Sequence, residues 1–331
     1  MLINGNLILG STILKRTGTK ATVTYNLTNC VSTNTAVNVS KNGTYTTTLV
    51  ADTSFSYVGA RIIMGTKDIT ATCYNMSTGI VNITNIEGNI TITAEKLTTF
   101  SNASWYAIKN VAQNNFASTI GWVIGDTKSL IIGDYSYTVR ICDLTEHRYQ
   151  YYNDTTRYSN MVLETVELYS KQVRDTEYNS NYNNTTLKRY YSDTVYPALS
   201  TELQELIETL IIPSNYYTSF EGSPTSTTTN AKIYSPDTSE ISGATTLLPQ
   251  FQLYAEDSSK AAKQLINTSV YIFWWSRTGG YGNNGTYEKL GTGSYVTETG
   301  STVSFSSWQS GNDYGNTRNN HSYGVPIFWA W

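Results

Sequence analysis

Between Ala21 and Leu27 the chain reads Ala-Thr-Val-Thr-Tyr-Asn-Leu, apolar and polar residues strictly in turn. Successive side chains of a strand point to opposite faces, so this period gathers the apolar residues on one side of a sheet. A helix cannot hold that pattern on one face. The period returns in Tyr45-Thr46-Thr47-Thr48-Leu49, more briefly in Val81-Asn82-Ile83-Thr84, and closes in Asn89-Ile90-Thr91-Ile92-Thr93-Ala94. Lys41-Asn42-Gly43 and Glu87-Gly88-Asn89 supply turns at the spacing of a small β-sandwich. Residues 17–96 are therefore expected to form a sandwich domain. They hold no histidine, no carboxylate pair and no glycine-rich phosphate loop, which leaves a spacer as their role. Residues 1–16 read as an arm whose apolar Leu7–Leu14 stretch docks on this chain or on an assembly partner.

Composition narrows the function. Charged residues are 14% of the 331, against about 25% in an average soluble protein. Thr, Ser, Asn and 27 Tyr fill the shortfall. The balance of 22 Lys+Arg against 25 Asp+Glu, without basic runs, lacks the electrostatics of nucleic-acid binding. No stretch approaches the roughly 20 apolar residues of a membrane-spanning helix, so no membrane insertion is expected. Met1-Leu2-Ile3-Asn4-Gly5-Asn6 has no positive region ahead of an apolar core, so no secretory signal is expected either. Sequons such as Asn26-Leu27-Thr28 and Asn284-Gly285-Thr286 then follow from composition. Cys30, Cys73 and Cys142 are odd in number and lack C-x-x-C spacing, and they read as reduced, mostly buried thiols.

From about 97 to 331 the texture changes. Ser104 can cap a helix with Trp105, Ile108, Val111, Ala112 and Phe116 on one face. Strands are expected between Gly121 and Arg140, and a helix from Thr186 to Tyr196 ahead of Pro197. A second helix, opened by a Thr201-x-x-Gln204 capping box, is expected to run through Leu203, Leu206, Ile207 and Leu210 to Pro213. Beyond 270 come short strands, long loops and Trp274, Trp275, Trp308, Trp329 and Trp331.

Two resemblances add to this reading. The runs Val23–Asn29, Met64-Gly65-Thr66-Lys67-Asp68-Ile69-Thr70-Ala71 and Ile86–Ala94 resemble an immunoglobulin-like repeat of gut-bacterial and phage surface proteins. Further on, Trp105-Tyr106-Ala107-Ile108, Gly125-Asp126-Thr127-Lys128, Leu187-Lys188-Arg189-Tyr190, Tyr196-Pro197-Ala198-Leu199, Trp274-Trp275-Ser276-Arg277 and Gly324-Val325-Pro326-Ile327-Phe328 occur in the order of one family. It is a group of phage and gut-bacterial proteins whose C-terminal domain resembles the C-type lectin fold and the formylglycine-generating-enzyme-like domains. Such domains serve as variable ligand-binding parts in proteins diversified by retroelements, phage tail receptor-binding proteins among them. The chain departs from the family in its Trp329-Ala330-Trp331 end and in a Tyr/Asn-rich insert at 149–184. The resemblances imply a β-rich, α+β molecule: an immunoglobulin-like β-sandwich followed by a C-type lectin-like α+β domain at 97–331.

Catalytic signals are weak. Neither H-x-E, H-E-x-x-H nor a nucleophile elbow occurs. His147 lies near Asp143 and Glu146, but Cys142–His147 reads as a strand end and exposed turn. His321 sits among Asn and Tyr and reads as a contact residue. No cysteine lies beyond 142, so the formylglycine-generating chemistry of the relatives is rejected. The Glu-Pro-Asn or Gln-Pro-Asp of calcium-dependent lectins is also missing, so no metal and no cofactor is expected.

Recognition is the better-supported class. Tyr281, Asn283, Asn284, Tyr287, Trp308, Asn312, Asp313 and Tyr314 lie between Arg277 and Gly324, separated by Gly and Ser. Asn316, Arg318, Asn319, Asn320, His321 and Tyr323 follow in the same segment. Tyr and Trp give broad amphipathic contact with few rotors to freeze, while Asn, Ser and Gly give adaptable hydrogen bonds. Trp274, Trp275 and Arg277 read as framework. Trp329 and Trp331 are either packed or an exposed aromatic edge. The expectation is a non-enzymatic phage virion protein, a tail receptor-binding component assembled in the host cytoplasm, that grips a host-surface protein or glycan. Its arm would dock on other virion proteins, and the resemblance implies a homo-oligomer such as a trimer. A fixed virion decoration and a bacterial surface adhesin are the alternatives.

Overall fold

The computed structural model describes residues 2–3, 6–9, 12–14, 19–53, 56–146, 148–172, 182–216, 225–243, 248–268, 271, 274–283, 288–296, 302–304 and 323–331. The chain is β-rich, with 37% strand and 21% helix distributed over several sheets. It divides into two compact units. Met1–Thr98 and Tyr106–Asn114 form the first; Thr99–Trp105 and Asn115–Trp331 form the second. The helix segment 106–114 thus clusters with the first unit, although its sequence follows the expected boundary at 96.

In the first unit the alternating segments become strands. Lys20–Thr28 pairs in parallel with Ile90–Lys96, Val23 opposite Ile90, and Ile90–Lys96 pairs antiparallel with Val58–Met64. Asn38–Ser40 and Lys67–Asp68 complete this five-stranded sheet. A second sheet runs Tyr74–Asn75, Ile80–Ile83, Tyr45–Ala51, Cys30–Ser32. Inward residues of both sheets are removed from water, among them Val23, Ile62, Ile90 and Ile92 from one and Tyr45, Leu49 and Val81 from the other. Burial of that apolar surface, at about 25 cal/mol per Å², is what the period-two pattern supplies. The arm residues Leu2–Ile3, Asn6–Leu9 and Thr12–Leu14 form an antiparallel three-stranded sheet of their own.

The helix Trp105–Gln113 buries Ala107, Ile108, Val111 and Ala112. Asn115 follows it in the left-handed region, φ 54°, a conformation that ends helices and that Asn tolerates. Phe116, expected on the helix face, therefore lies beyond its end. Residues Thr186–Ala198 are helical, with Thr185 Oγ1 capping the start by accepting from the Lys188 amide.

The next helix departs from expectation. Its cap is Ser200, whose Oγ accepts from the Leu203 amide, and it stops at Leu206. Leu210, Ile211, Ile212 and Pro213 instead belong to the strand Leu210–Tyr216, paired with Thr225–Ala231. The β-branched Ile211-Ile212 pair favours a strand. Thr209 is the residue at which Tyr152 closes onto the chain, its amide donating to the Thr209 carbonyl at 2.9 Å.

The central sheet of the second unit is Thr127–Ile132, Tyr135–Asp143, Val162–Thr165 and Phe328–Ala330, all antiparallel. Gln150–Tyr151 joins the Leu210–Tyr216 hairpin. A third sheet runs Lys171–Gln172, Tyr323–Gly324, Trp274–Asn283, Glu288–Val296, Thr302–Ser304.

Candidate functional site

The segment expected to recognise a ligand begins and ends on one sheet. Trp274 pairs in parallel with Gly324, which also pairs with Lys171. The chain then runs back along residues 160–170. Amide-to-carbonyl bonds join Val325 to Ser170, Tyr169 to Val325 and Thr165 to Ile327, each 2.9 Å, before Phe328–Ala330 enters the central sheet. The amides of Asn160 and Met161 close the run on the Trp331 carbonyl at 2.7 and 3.0 Å. Val325 to Trp331 are all buried. Trp329 and Trp331 are packed, not an exposed edge: both meet the Trp105 ring, and Trp331 Nε1 donates to the Leu206 carbonyl at 3.2 Å.

Of the expected contact residues, Tyr281 pairs with Leu290 and Asn283 with Glu288 at the far end of Trp274–Asn283. Tyr323 pairs with Gln172 at the near end. At the rise of a strand, Tyr281 and Asn283 lie roughly 23 and 30 Å along from Trp274, so the backbone does not bring Tyr323 together with them. Asn284, Tyr287, Trp308, Asn312, Asp313 and Tyr314 lie outside the described residues, as do Asn316, Arg318, Asn319, Asn320 and His321. His147 lies outside them as well.

The second unit also carries two buried ionic clusters that periodicity could not disclose. In the first, Glu164 is wholly buried. Its Oε1 accepts from Arg140 Nε at 2.5 Å, and its Oε2 accepts from Lys263 Nζ and Tyr254 Oη, both at 2.5 Å. Arg140 also donates to the Lys260 carbonyl and Lys263 to the Thr165 carbonyl, each at 2.6 Å. Burial by itself would raise the Glu164 pKa, but the charges of Arg140 and Lys263 and the bonds from Lys263 and Tyr254 hold it below the usual carboxylate range.

The second cluster centres on Arg148, which pairs with Asp143 and, at 3.3 Å, with Glu240. Its Nη2 donates to the Pro249 carbonyl at 2.5 Å, and its guanidinium lies 4.3 Å from the Phe251 ring centroid. Glu240 is placed by a capping box. Its carboxylate accepts from the Asp237 amide at 2.8 Å while Asp237 caps the helix Thr238–Ser242. Tyr149 Oη donates to the same Glu240. Asp143, expected at an exposed turn, ends its strand but is fully buried, and burial raises its pKa despite Arg148. The stacked rings of Phe251 and Phe328, 5.8 Å apart, stand between the clusters: Arg148 lies over one and Lys263 over the other.

These groups are saturated by one another and shielded from water, which suits a rigid support and not proton transfer to a substrate. Cys142 lies between the clusters, and burial raises its thiol well above the usual value. Cys30 and Cys73 are likewise free and buried, with Cys73 pushed up to about 12 by burial and by Asp68. Such thiols are poor nucleophiles. Among the described residues no group of three His, Cys, Asp or Glu side chains could hold a metal ion. Sequence reasoning missed both clusters because their partners come from residues far apart in the chain: Glu164 and Lys263 are 99 positions apart.

The sequence pattern of a family described as a domain of unknown function, DUF6273, matches residues 157–326. The match runs from the approach to the central sheet to the return through Pro326. No curated protein and no solved structure matches the chain.

Proposed function

Because the chain belongs to the DUF6273 family, a domain family of unknown function, we propose its role from its architecture: a non-enzymatic recognition protein that presents residues 278–323 to a ligand. The observation that carries this reading is the pairing of Trp274 with Gly324. A Tyr-, Asn- and Gly-rich segment leaves and re-enters one point of a framework that is buried, hydrogen-bonded and internally charged. A rigid base of that kind suits loops used for binding.

The finer assignment belongs to the same proposal. The two-sheet first unit, with its parallel Lys20–Thr28 and Ile90–Lys96 pair, supports an immunoglobulin-like spacer. The late strand Phe328–Ala330 beside Val162–Thr165 supports a C-type lectin-like head. In this reading the protein is a component of a phage tail, oligomeric, held in the virion through residues 1–16, and its ligand is a host-surface protein or glycan.

The full chain, fluorescently labelled, is expected to bind host cells. Tyr314→Ala or Trp308→Ala is expected to cut that binding at least tenfold, about 1.4 kcal/mol, with the thermal unfolding curve unchanged. Full incorporation into particles without any cell binding would sink the receptor reading and leave a fixed virion decoration.

A further inference from the structure

A cleft of about 260 Å³ opens in the second unit between the helical run Thr186–Ala198 and the end of the strand Thr225–Ala231. Lys188, Arg189 and Ser192 line it from the helix, Asn230 and Lys232 from the strand, and Asn183 from the preceding turn. Ala231 and Ile233, with the Tyr191 ring, make the apolar part of the wall. Among the described residues the lining holds three cations and no carboxylate, in a chain whose acidic residues outnumber its basic ones.

The charges of this cleft are not spent on neighbours. Several other basic side chains meet carboxylates, as in Arg61–Asp68, Lys96–Asp52 and Arg157–Glu208. Lys188, Arg189 and Lys232 form no ion pair among the described residues. Asp193, beside the cleft, instead accepts from the Ser192 hydroxyl at 2.7 Å.

Lys232 is also positioned. Its Nζ donates to Tyr196 Oη at 2.6 Å and lies 4.5 Å from the centroid of that ring. Tyr196 Oη in turn donates to the Gln204 carbonyl, so the phenol proton is committed and its lone pair faces the ammonium. An ammonium has three donors, and two of those on Lys232 remain for a ligand. Among the described residues Arg189 makes only long contacts, 3.5 Å to the Asn184 carbonyl and 3.3 Å to Thr186 Oγ1, which leave most of its fork open.

We propose that this cleft is a binding site for an acidic sugar residue, its carboxylate held by Lys188, Arg189 and Lys232. The hydroxyls of the ring face Asn183, Asn230 and Ser192. The volume lies just below the 300 Å³ or so at which pockets for drug-sized ligands begin, so it suits one ring and not a chain of them. Amide and hydroxyl groups among the cations match a polyhydroxylated ring better than a bare oxyanion, which would call for converging donors alone. The site stands independently of the role proposed for residues 278–323.

The test is calorimetric titration of the full chain with a sialyl-lactose, a digalacturonate, neutral lactose and inorganic phosphate. Binding of at least one acidic sugar, with lactose inert, is expected, and whichever of the two binds identifies the source of the carboxylate. A Lys188→Glu/Arg189→Glu double variant, both positions at least partly exposed, should weaken binding at least tenfold while keeping the wild-type melting curve. Lys232→Gln should weaken it by a smaller factor, and added salt should weaken it in the wild type. Failure of both acidic sugars at millimolar concentration overturns the proposal. So does undiminished binding by the charge-reversed variant, or phosphate binding as tightly as the sugars.

Discussion

Glu164 has no exposed surface, yet it accepts from Arg140, Lys263 and Tyr254, so removing its charge leaves two cations buried without a counter-ion. Breaking a buried pair from one side costs about 3–5 kcal/mol, and Glu164→Gln is expected to fall in that range by urea unfolding. Tyr254→Phe removes one charge-assisted bond and should cost about 2 kcal/mol. The pH dependence follows from the direction of the shift. The folded Glu164 pKa lies below its unfolded value of about 4.3, so its contribution is full above that value and is lost as pH falls through the folded one. Asp143 acts in the opposite sense: its raised pKa burdens the fold above its folded value, and protonation relieves that burden. Comparing wild type with Glu164→Gln cancels the Asp143 part. The gap in Tm between them should be constant from neutral pH down to about 5 and narrow below about 4. A gap that stays constant to pH 2 would contradict the assignment.

At the scale of elements, two turn glycines separate backbone strain from crowding. Gly65 and Gly79 both have positive φ, 64° and 71°. A Cβ on Gly65 would meet nothing within 4 Å, whereas on Gly79 it would come 2.4 Å from the Leu49 carbonyl oxygen. Gly65→Ala should cost about 1 kcal/mol from left-handed strain alone. Gly79→Ala should cost more, about 2–3 kcal/mol, because the Gly79 carbonyl also receives the Leu49 amide at 2.8 Å and the turn cannot shift freely. Equal losses would show that crowding plays no part. These two turns were not among those read from the sequence, whereas the strands Lys20–Thr28, Tyr45–Ala51 and Ile90–Lys96 were legible because period two is a local signal, as was the helix Trp105–Gln113 from its apolar spacing. Leu210–Tyr216 was not. Leu203, Leu206, Ile207 and Leu210 carry a helical spacing that ends at Leu206 only because the later residues pair with Thr225–Ala231. The ionic clusters were invisible in principle, since Arg140, Glu164 and Lys263 have no pattern that links them along the chain. For the recognition segment, residue type was readable and placement was not: Tyr323 lies on the strand beside Trp274, while Tyr281 and Asn283 sit toward the far end of Trp274–Asn283.

For the whole molecule, the division into units crosses the order of the chain. Residues 106–114 belong with 1–98, and Ala107 lies where a Cβ on Gly59 would come within 2.6 Å of it, so helix and strand approach as closely as glycine permits. A fragment ending at Thr98 would strip Gly59 and its neighbours of that cover. Fragment 1–114 is therefore expected to unfold cooperatively and at least about 2 kcal/mol above fragment 1–98, a difference that scanning calorimetry would reveal. Equal stability would mean that the helix adds nothing to the first unit. The junction of Trp274 with Gly324 carries a different consequence, one of chain statistics. Once two ends of a polymer are pinned together, the entropy of the intervening stretch grows only with the logarithm of its length. Doubling it costs about 0.6 kcal/mol, less than one hydrogen bond of the Glu164 cluster. Added length at the connection from Asn283 to Glu288 is thus expected to cost folding little, whereas changes within Trp274–Asn283, Glu288–Val296 or Thr302–Ser304 act on paired strands. Length is tolerated where the chain turns, and sequence is constrained where it pairs.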